Sequence, residues 1–508
     1  MKLTAMLAFF YLKKIKKIVL PRDLIKEAVK RNRNKIAIIE CGKNYTYQEI
    51  YERGEKLADS LNKMGIKKGD KVALLMYNCR EYFEIRIAAY LSGVVLVPLV
   101  PDTSLEDVVF ILNDCNVKVV IYHKDLYNPK IKENTKIRFF ISLKKDYELF
   151  VASGELKGSK IILKPDDLAS INFSSGTTGR PKGIMLMQKN WINSFYNYVL
   201  NSPKVSEGDI KMLHIMSLAT AGGAAFLPSF FLGAENCFLD RFDEEKIISL
   251  IAEHKINTIF ITPSWLNLLI DFCKHNKIKP QLKNIIIGTE YISKEKFKEV
   301  IDFFGPIIQQ GYGMAEVLPP LSLLDSKDYI ENGKINESKL IFAGKPMQGV
   351  EVKIVDKKGK IGRIAIKSQT VSQGYWNNPD LNKKHFKDSW FISDDFGYIN
   401  EEGYLYVSGR ATDIIDSKNM IFKRDIEEIF HRHPAILEAC VCLKNEEIYV
   451  FVSLRTGFGA INESQLLEFC NARINNVLLK SIKILPNLPK NYSGKLDRKK
   501  FSYYIENI

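Results

Sequence analysis

The sequence predicts an α/β protein with a large N-terminal body of parallel sheets covered by helices, a small β-barrel-like subdomain and a small α+β C-terminal domain. Three observations support this fold class. Short apolar runs alternate with amphipathic segments over most of the chain, the pattern changes after about residue 340, and it changes again after Arg410. A chain of 508 residues is also too long for one ordinary domain and indicates two or three.

The N-terminal body is predicted from strand and helix patterns that follow each other in repetition. Such repetition implies parallel sheets covered by helices. Thr46 and Glu49 have the spacing of a capping box at the start of the first amphipathic segment. The predicted buried strands are residues 71–77, 94–100, 118–122 and 258–262, and the predicted helices are residues 46–65 and 243–255.

The last third of the chain has a different pattern. Residues 339–368 contain short alternating strands and turn dipeptides, which is typical of a small antiparallel sheet or barrel. The tail is predicted to contain a helix at 424–432, strands at 438–444 and 448–454, and a helix at 463–474. We place the boundary at Arg410–Asp413, with an N-terminal domain of residues 1–409, a hinge of residues 410–413 and a C-terminal domain of residues 414–508.

Composition excludes several classes of protein. Apolar residues make up 46% of the chain, which is enough for a large core. The net charge of +15 is spread over the chain, so we expect no nucleic acid partner, although a basic surface would attract phosphorylated or acidic partners. The eight cysteines are scattered without zinc spacing, and this favours free thiols in the reducing cytoplasm.

The N-terminus carries an apolar run, Leu3 to Leu12, followed by a basic block. The run is too short to span a bilayer and lacks the small-residue cleavage site of an export signal. A first helix packed on the body is the favoured interpretation, and weak contact with a membrane surface stays open. We expect no transmembrane segment and a cytoplasmic protein.

The segment INFSSGTTGRPKGIML, residues 171–186, has the composition of an anion-binding loop. It is predicted to form a strand, a glycine-rich loop and a return strand. Backbone amides at its glycines, four hydroxyls and one lysine would form a polyphosphate cradle. It is not a Walker A loop, because the required Gly-Lys-Ser/Thr never follows Gly176 and Pro181 interrupts it. Taken alone, such a loop is equally consistent with a surface turn.

Three later segments follow the loop in order: GYGMAE at 311–316, DDFGYINEEGYLYVSGR at 394–410 and LPKNYSGKLDRKKF at 488–501. Together with the loop, they resemble the acyl-adenylate-forming superfamily, which contains acyl-CoA synthetases, luciferases and the adenylation domains of peptide synthetases. The resemblance extends over about residues 25–505, and the loop and the SGKLDRK tail are its most specific parts.

The resemblance implies a two-step reaction. A carboxylate attacks the α-phosphate of ATP to give acyl-AMP and pyrophosphate, and a thiol then displaces AMP. The thiol is that of coenzyme A or of a carrier protein's phosphopantetheine arm. Positioning and charge neutralisation provide most of the catalysis in such phosphoryl-type transfers.

The resemblance also implies roles for individual residues. Glu316 would bind Mg²⁺, which prefers oxygen ligands, and Tyr312 would lie against the adenine ring. Asp395 and Arg410 would meet the ribose hydroxyls. The residues expected to bind the phosphates are Ser174, Ser175, Gly176, Thr177, Thr178, Gly179 and Lys182, and those along the adenine edge are Gly288, Thr289 and Glu290.

Lys495, in the SGK segment, is the expected catalytic lysine. It could reach both the carboxylate and the α-phosphate and stabilise charge in the transition state. The C-terminal domain would have to turn between the two steps, and Thr412 is at the hinge position. The superfamily usually has Asp or Lys at this position, so Thr is a departure at the residue about which the domain would turn.

Other departures concern the nucleotide and the thiol. Ala315 replaces the usual threonine before Glu316, Asp394 replaces a glycine beside Asp395, and Gln188 replaces a histidine after the loop. In the segment 416–428 the usual glycine and a later proline are missing, so the acceptor, coenzyme A or an acidic carrier protein, stays open. The departures also leave open a nucleotide-binding protein that no longer turns over.

Residues 210–239 are expected to supply much of the acid pocket. An α-amino acid would need a buried carboxylate as its partner, and Glu235 is the only acid in this span, so an apolar carboxylic acid is favoured. The expected pocket residues are Leu218, Ala219, Gly222 and Gly223. The small residues would either leave room for a bulky acid or let a helix pack closely.

Overall fold

The computed structural model describes residues 18–40, 42–174, 179–201, 209–458, 461–473 and 478–506. The predicted N-terminal segment before residue 18 and four loop residues, 175–178, lie outside the described residues. Within those ranges, no helix has the length and apolar character needed to cross a membrane.

The strands alternate with helices, as the sequence patterns predict. The strands are β1 Ile36–Glu40, β2 Lys43–Thr46, β3 Lys71–Leu75, β4 Val95–Leu99, β5 Val119–Tyr122, β6 Phe139–Ser142, β7 Leu168–Ser174, β8 Lys182–Met187, β9 Lys211–His214, β10 Glu235–Phe238, β11 Thr258–Ile261, β12 Asn284–Gly288, β13 Ile308–Met314, β14 Val317–Leu324, β15 Ile330–Glu331, β16 Lys334–Ile335, β17 Lys345–Pro346, β18 Val350–Lys358, β19 Ile361–Ser368, β20 Phe386–Lys387, β21 Trp390–Ile399, β22 Leu405–Arg410, β23 Ile414–Asp416, β24 Ile421–Phe422, β25 Ile436–Lys444, β26 Glu447–Leu454 and β27 Leu479–Ile484. The helices are α1 Pro21–Asn32, α2 Tyr47–Lys63, α3 Arg80–Ser92, α4 Leu105–Asp114, α5 Lys130–Glu133, α6 Lys145–Ala152, α7 Gln188–Asn201, α8 Phe226–Phe231, α9 Glu244–His254, α10 Pro263–His275, α11 Lys294–Phe304, α12 Ser326–Tyr329, α13 Pro379–His385, α14 Lys423–His431, α15 Glu463–Asn471 and α16 Phe501–Glu506.

The chain divides into two compact units, and the first consists of Met1–Asp240, Met314–Pro319 and Gln369–Lys384. Its six-stranded sheet has the order β6-β5-β3-β4-β7-β8, parallel except for the antiparallel β7–β8 pair. Its other strands pair β1 with β10 and β10 with β9 in parallel, with β2 antiparallel to β1. The predicted capping box at Thr46 and Glu49 is present at the start of α2. The predicted parallel sheets are therefore confirmed.

The second unit consists of Arg241–Gly313, Pro320–Ser368 and His385–Ile508. Strands β11, β12 and β13 pair in parallel, and β18, β19, β21 and β22 form the predicted antiparallel, barrel-like sheet, with β20 paired to β21. In the tail, β25 and β26 are antiparallel and β27 is parallel to β26. The apolar faces of α14 and α15 cover this sheet through Phe430 and Leu466, which are fully buried. The α+β tail is confirmed, and the domain limits at 410–413 stay a prediction.

Candidate active site

The glycine-rich loop begins and ends on one β-ladder of the first unit. Ser174, at the end of β7, lies opposite Lys182, at the start of β8. Gly183 lies opposite Phe173, and a Cβ atom at Gly183 would come within 2.9 Å of the Phe173 ring. A larger residue there would push the two strands apart. The ladder therefore fixes the two ends of the predicted phosphate-binding segment.

A segment that the sequence analysis did not single out, residues 372–376, pairs with β8. The Met185 amide donates to the Gly374 carbonyl at 2.9 Å, and the Trp376 amide donates to the Gly183 carbonyl at 2.7 Å. Gly374 and Tyr375 thus lie beside β8, the strand that follows the loop. Since the pairing is long-range, the SQGYW motif at 372–376 gave no local signal of it.

Glu316, the predicted metal ligand, is attached to this same segment. Its backbone carbonyl accepts from the Ser372 amide at 2.8 Å. Its carboxylate Oε1 accepts from the Tyr375 hydroxyl at 2.9 Å. The segment therefore connects the glycine-rich ladder to Glu316 within the first unit. A half-buried carboxylate held by one hydroxyl fits Mg²⁺, which takes one or two carboxylates and completes its shell with water and phosphate oxygens.

The predicted acid-pocket residues are organised by Asn78, which the sequence analysis also missed. The buried Asn78 side chain accepts from the Leu218 amide at 2.8 Å. Its Nδ2 donates to the carbonyls of His214 and Met216, at 3.2 Å and 3.0 Å. The oxygen and the nitrogen of this side-chain amide thus both bind the backbone of residues 214–218, and these bonds fix the segment before Ala219. An asparagine directly after a buried strand was the available signal.

Gly222 and Gly223 are closely packed. A Cβ atom would come within 2.4 Å of the Met216 carbonyl oxygen at Gly222 and within 2.5 Å of the Leu218 carbonyl oxygen at Gly223. Of the two alternatives for these small residues, the geometry favours close packing of the chain. The Gly223 carbonyl accepts from the buried Arg86 guanidinium at 2.7 Å.

The second unit brings together the residues predicted for the adenosine moiety. The Tyr312 hydroxyl donates to Asp395 Oδ2 at 2.7 Å, and the Arg410 guanidinium lies 3.3 Å from Asp395 Oδ1. Asp395 and Arg410 also face each other across the β21–β22 ladder. Gly288 lies opposite Gly311, where a Cβ atom would be 2.9 Å from the Gly311 carbonyl oxygen. This close approach brings the strand carrying Tyr312 beside the one ending at Gly288.

Asp394, one of the departures from the superfamily pattern, pairs with a basic side chain. Its carboxylate lies 3.4 Å from the Arg363 guanidinium. The extra negative charge therefore lies beside a positive one. Thr289 has a φ of +71°, a conformation that bulky β-branched residues rarely adopt. Strain at that position is typical of functional segments.

Lys495 lies among the acidic and basic groups of the second unit. The amide of the next residue, Leu496, donates to Glu290 Oε1 at 3.0 Å. The Gly494 carbonyl accepts from the Thr262 hydroxyl at 3.2 Å. Burial lowers the pKa of Lys495, Glu290 opposes this effect, Arg410 adds to it and Asp395 opposes it. The charges of three predicted nucleotide residues, Glu290, Arg410 and Asp395, therefore act on the predicted catalytic lysine.

The predicted hinge residue Thr412 lies in a short 3₁₀ turn, Ala411–Asp413. Its carbonyl accepts from the Lys423 ammonium at 3.0 Å, and the same ammonium lies 3.2 Å from Asp413. The Arg410 amide donates to Asp413 at 3.1 Å. These bonds define the local conformation of the turn, and its role as a hinge stays a prediction.

Comparison with known families and proteins agrees with this arrangement. The AMP-binding enzyme model matches residues 25–376, and the model of the AMP-binding enzyme C-terminal domain matches residues 425–495. The 2-succinylbenzoate–CoA ligase of Listeria innocua is 29% identical over 491 residues, which cover 94% of this chain and 98% of that protein. The medium/long-chain-fatty-acid–CoA ligase FadD8 of Mycobacterium tuberculosis is 25% identical over 521 residues, with 94% and 88% covered.

Solved structures share the fold. The anthranilate CoA ligase AuaEII in complex with anthranoyl-AMP matches with a TM-score of 0.86 at 20% identity, over 96% of this chain and 97% of that one. The o-succinylbenzoate CoA synthetase of Bacillus subtilis, in complex with its acyl-adenylate intermediate, matches with a TM-score of 0.80 at 23% identity, over 94% and 97%.

The parallel-sheet body, the glycine-rich loop and the lysine-bearing tail together define a class of enzymes that activate carboxylates as adenylates. The chain belongs to the AMP-binding enzyme family of the acyl-adenylate-forming superfamily, and it is an ATP-dependent acid–thiol ligase that forms AMP. ATP is therefore its nucleotide substrate.

Proposed function

We propose that this enzyme activates a carboxylic acid with an apolar body and transfers the acyl group to coenzyme A. In the first step, a carboxylate oxygen attacks the α-phosphorus of ATP, and the bond to the bridging oxygen breaks to release pyrophosphate. In the second step, the thiol sulfur attacks the acyl carbon, the bond to AMP breaks, and the thiol proton passes to solvent. The supporting observation is the hydrogen bond from the Leu496 amide to Glu290, which holds the residue after Lys495 in the compact unit that also contains Asp395 and Arg410.

The proposed roles follow from charge and hydrogen-bonding capacity. The Lys495 ammonium would neutralise charge that develops on the α-phosphate during attack. Asp395, aligned by the Tyr312 hydroxyl, would accept the two ribose hydroxyls. Lys182 and the loop amides would hold the outer phosphates, and Glu316 would hold Mg²⁺. When bound, Mg²⁺ neutralises charge on the phosphate oxygens.

The acid itself would lie near Leu218 and Ala219, which are buried and apolar. One observation favours a second substrate class. Arg86 is buried, with only 5% of its surface exposed to solvent, and its Nε has no hydrogen-bond partner among the described residues. Its guanidinium lies 4.3 Å from the centre of the Trp191 ring, and no carboxylate among the described residues pairs with it. A buried cation without an acidic partner is costly, so an acid with a second carboxylate at its far end is also a candidate. 2-Succinylbenzoate, the acid in the relatives' names, carries two carboxylates.

The test is acid-dependent exchange of labelled pyrophosphate into ATP. Octanoate, decanoate, benzoate, 2-succinylbenzoate and acetate would be compared with and without coenzyme A. We expect exchange with at least one of the larger acids and a loss of about 100-fold or more in Lys495→Ala. Lys499→Ala, an exposed lysine in the same tail, is the matched control and should keep its exchange rate. Exchange that does not depend on Lys495 would contradict the proposal.

A carrier protein is the second candidate acceptor, because the net charge of +15 would favour an acidic partner. Thioester formation with free coenzyme A, measured beside formation on a phosphopantetheinylated carrier, separates the two acceptors. The pyrophosphate-exchange assay also tests the alternative of a nucleotide-binding pseudoenzyme, which would give no exchange. The pairing of Asp394 with Arg363 weakens this alternative, because Arg363 balances the extra negative charge.

A further inference from the structure

The second unit contains a charged cluster, far along the chain from Lys495, that joins helices α10 and α11 to the tail. The Glu299 carboxylate accepts two bonds from the Arg455 guanidinium, at 2.7 Å and 2.5 Å. It also accepts from the Lys274 ammonium at 2.7 Å. A two-bond contact between guanidinium and carboxylate fixes relative orientation as well as distance. The side chains of Glu299 and Arg455 are only 15% and 18% exposed.

Two further contacts extend the cluster. Asp271 Oδ2, on α10, accepts from both the amide and the hydroxyl of Thr456, at 3.1 Å and 2.7 Å. The Lys296 ammonium, on α11, donates to the Ile436 carbonyl at 3.1 Å, and Lys296 is 1% exposed. We call these residues, Asp271, Lys274, Lys296, Glu299, Ile436, Arg455 and Thr456, the docking cluster.

The docking cluster attaches to the sheet that carries the lysine-bearing segment. Ile436 begins β25, and Arg455 directly follows β26. The lysine-bearing segment is bound to β25, because the Lys490 ammonium lies 2.7 Å from Glu438 and Arg498 donates to the Val441 carbonyl. The sheet thus contacts α10 and α11 at one end, through the docking cluster, and also binds the Lys495 segment. If the sheet moved relative to α10 and α11, the docking cluster would break and the Lys495 segment would move with the sheet.

We propose that Glu299 and Arg455 are positioning residues for Lys495: their ion pair holds the tail in the orientation that the adenylation step requires. This inference rests on the proposed function and on the turn of the C-terminal domain between the two steps that the superfamily resemblance implies. Weakening the ion pair therefore favours the second step at the expense of the first. A purely structural ion pair would have another effect, because loss of folded protein lowers both steps equally.

The test measures the two steps separately in full-length Glu299→Gln and Arg455→Ala variants. The first readout is acid-dependent pyrophosphate exchange. The second is thioester formation from purified octanoyl-AMP or 2-succinylbenzoyl-AMP, whichever acid supports exchange in the wild-type enzyme. We expect the ratio of the first rate to the second to fall about fivefold or more, with partial recovery in Arg455→Lys, which keeps the charge and loses the two-bond geometry.

The matched control is Glu337→Gln. The carboxylate of Glu337 pairs with Lys294 and Lys298, which lie on the same helix as Glu299. Neither of these two ion pairs includes a residue of the tail. This variant should leave the ratio unchanged. Equal loss of both rates in Glu299→Gln, or no change in their ratio, would overturn the inference.

A measurement that needs no activity accompanies these assays. Hydrogen exchange at the Leu496 amide, which is bonded to Glu290, reports whether the tail stays docked. We expect faster exchange in the peptide 490–498 of Glu299→Gln and unchanged exchange in Glu337→Gln. If the wild-type enzyme gives no pyrophosphate exchange, the proposed function fails, and this readout still decides the inference. Unchanged protection of the Leu496 amide in Glu299→Gln would refute it.

Discussion

The backbone amide of Leu496 donates to the carboxylate of Glu290 at 3.0 Å, across 206 positions of sequence. This bond holds the residue next to Lys495 against the end of β12. The carboxylate also accepts from the Ser264 amide at 3.3 Å. Burial raises the pKa of Glu290, and the bonds from Ser264 and the charge of Lys495 oppose that effect. Glu290 thus both positions the lysine segment and stabilises its positive charge.

The first prediction concerns the charge of Glu290. Glu290→Gln keeps an oxygen acceptor for the Leu496 amide but removes the charge that opposes the lowered pKa of Lys495. In the proposed function the lysine acts as an ammonium, so activity should be lost as pH rises through its pKa. We expect the alkaline limb of the pyrophosphate-exchange profile to move to lower pH in the variant. An alkaline limb that coincides with that of the wild-type enzyme would contradict this role, and Glu337→Gln serves as the control.

The second prediction concerns Gly494, directly before Lys495. Its φ is +81°, and a Cβ atom there would come within 2.5 Å of the Trp265 ring. Gly494→Ala should therefore displace the lysine segment and lower pyrophosphate exchange by about tenfold or more, since a misplacement of about 1 Å can cost 100-fold. Gly403→Ala is the control, because Gly403 has a φ of +84° and no atom within 4 Å of its Cβ position.

The two glycine variants separate backbone strain from contact. Both introduce a side chain at positive φ, which costs about 1 kcal/mol in either place. Only Gly494→Ala adds the clash with Trp265. Equal losses of exchange in the two variants, after correction for thermal stability, would show that the contact does not matter.

The strands and helices were predictable because each has a local pattern. The apolar runs at 71–77 and 118–122 are strands that begin and end within two residues of the prediction. The capping box at Thr46 was readable for the same reason, since its two residues are three positions apart. The family membership was also predictable, because each of its motifs is a short contiguous segment.

The contacts between segments could not be predicted in the same way. Tyr375 and Glu316 are 59 positions apart, and Asn78 and Leu218 are 140 apart. Neither periodicity nor local composition carries information about such pairs, because they depend on how strands are ordered in a sheet. The close packing of Gly222 needed coordinates as well, since a small residue in a sequence is equally consistent with free space.

The third prediction concerns the hydrogen bond between Tyr375 and Glu316. Tyr375→Phe removes the hydroxyl that orients the carboxylate, and groups that orient metal ligands typically change metal affinity by about 10- to 100-fold. We expect the Mg²⁺ concentration for half-maximal pyrophosphate exchange to rise about tenfold, with the maximal rate largely kept at high Mg²⁺. Titration of exchange with MgCl₂ measures this.

Tyr196→Phe is the control for that titration. Tyr196 lies in the same unit and donates to the Ile18 carbonyl at 2.7 Å, so the same kind of bond is lost without contact to Glu316. The Mg²⁺ dependence of this variant should match that of the wild-type enzyme. A Tyr375→Phe variant with unchanged Mg²⁺ dependence would show that Glu316 does not rely on the hydroxyl for its role.

The fourth prediction is a dependence of stability on pH that comes from Glu299. Burial acts to raise the pKa of Glu299, but Arg455, Lys296 and Lys274 outweigh it and hold the pKa at about 2, below the ordinary value of 4.5. Between these two values the unfolded chain binds more protons than the folded chain. The stabilisation from this carboxylate is therefore complete above pH 4.5 and is lost as pH falls through the folded value, by at most about 3 kcal/mol.

Urea unfolding of the wild-type enzyme and of Glu299→Gln, at a series of pH values from about 6 down to about 3, measures this effect. The variant lacks the titrating group, so the difference in unfolding free energy between the two proteins should shrink as the pH falls. Hydrogen bonds from Lys298 and Lys294 also lower the pKa of Glu337, to about 2. Because the Glu337 side chain is 40% exposed, water screens these pairs, and Glu337→Gln should show a smaller change than Glu299→Gln. A constant difference between wild type and Glu299→Gln over this range would mean that the carboxylate is not held ionised by Arg455, and the ion pair could not then act as the orienting contact.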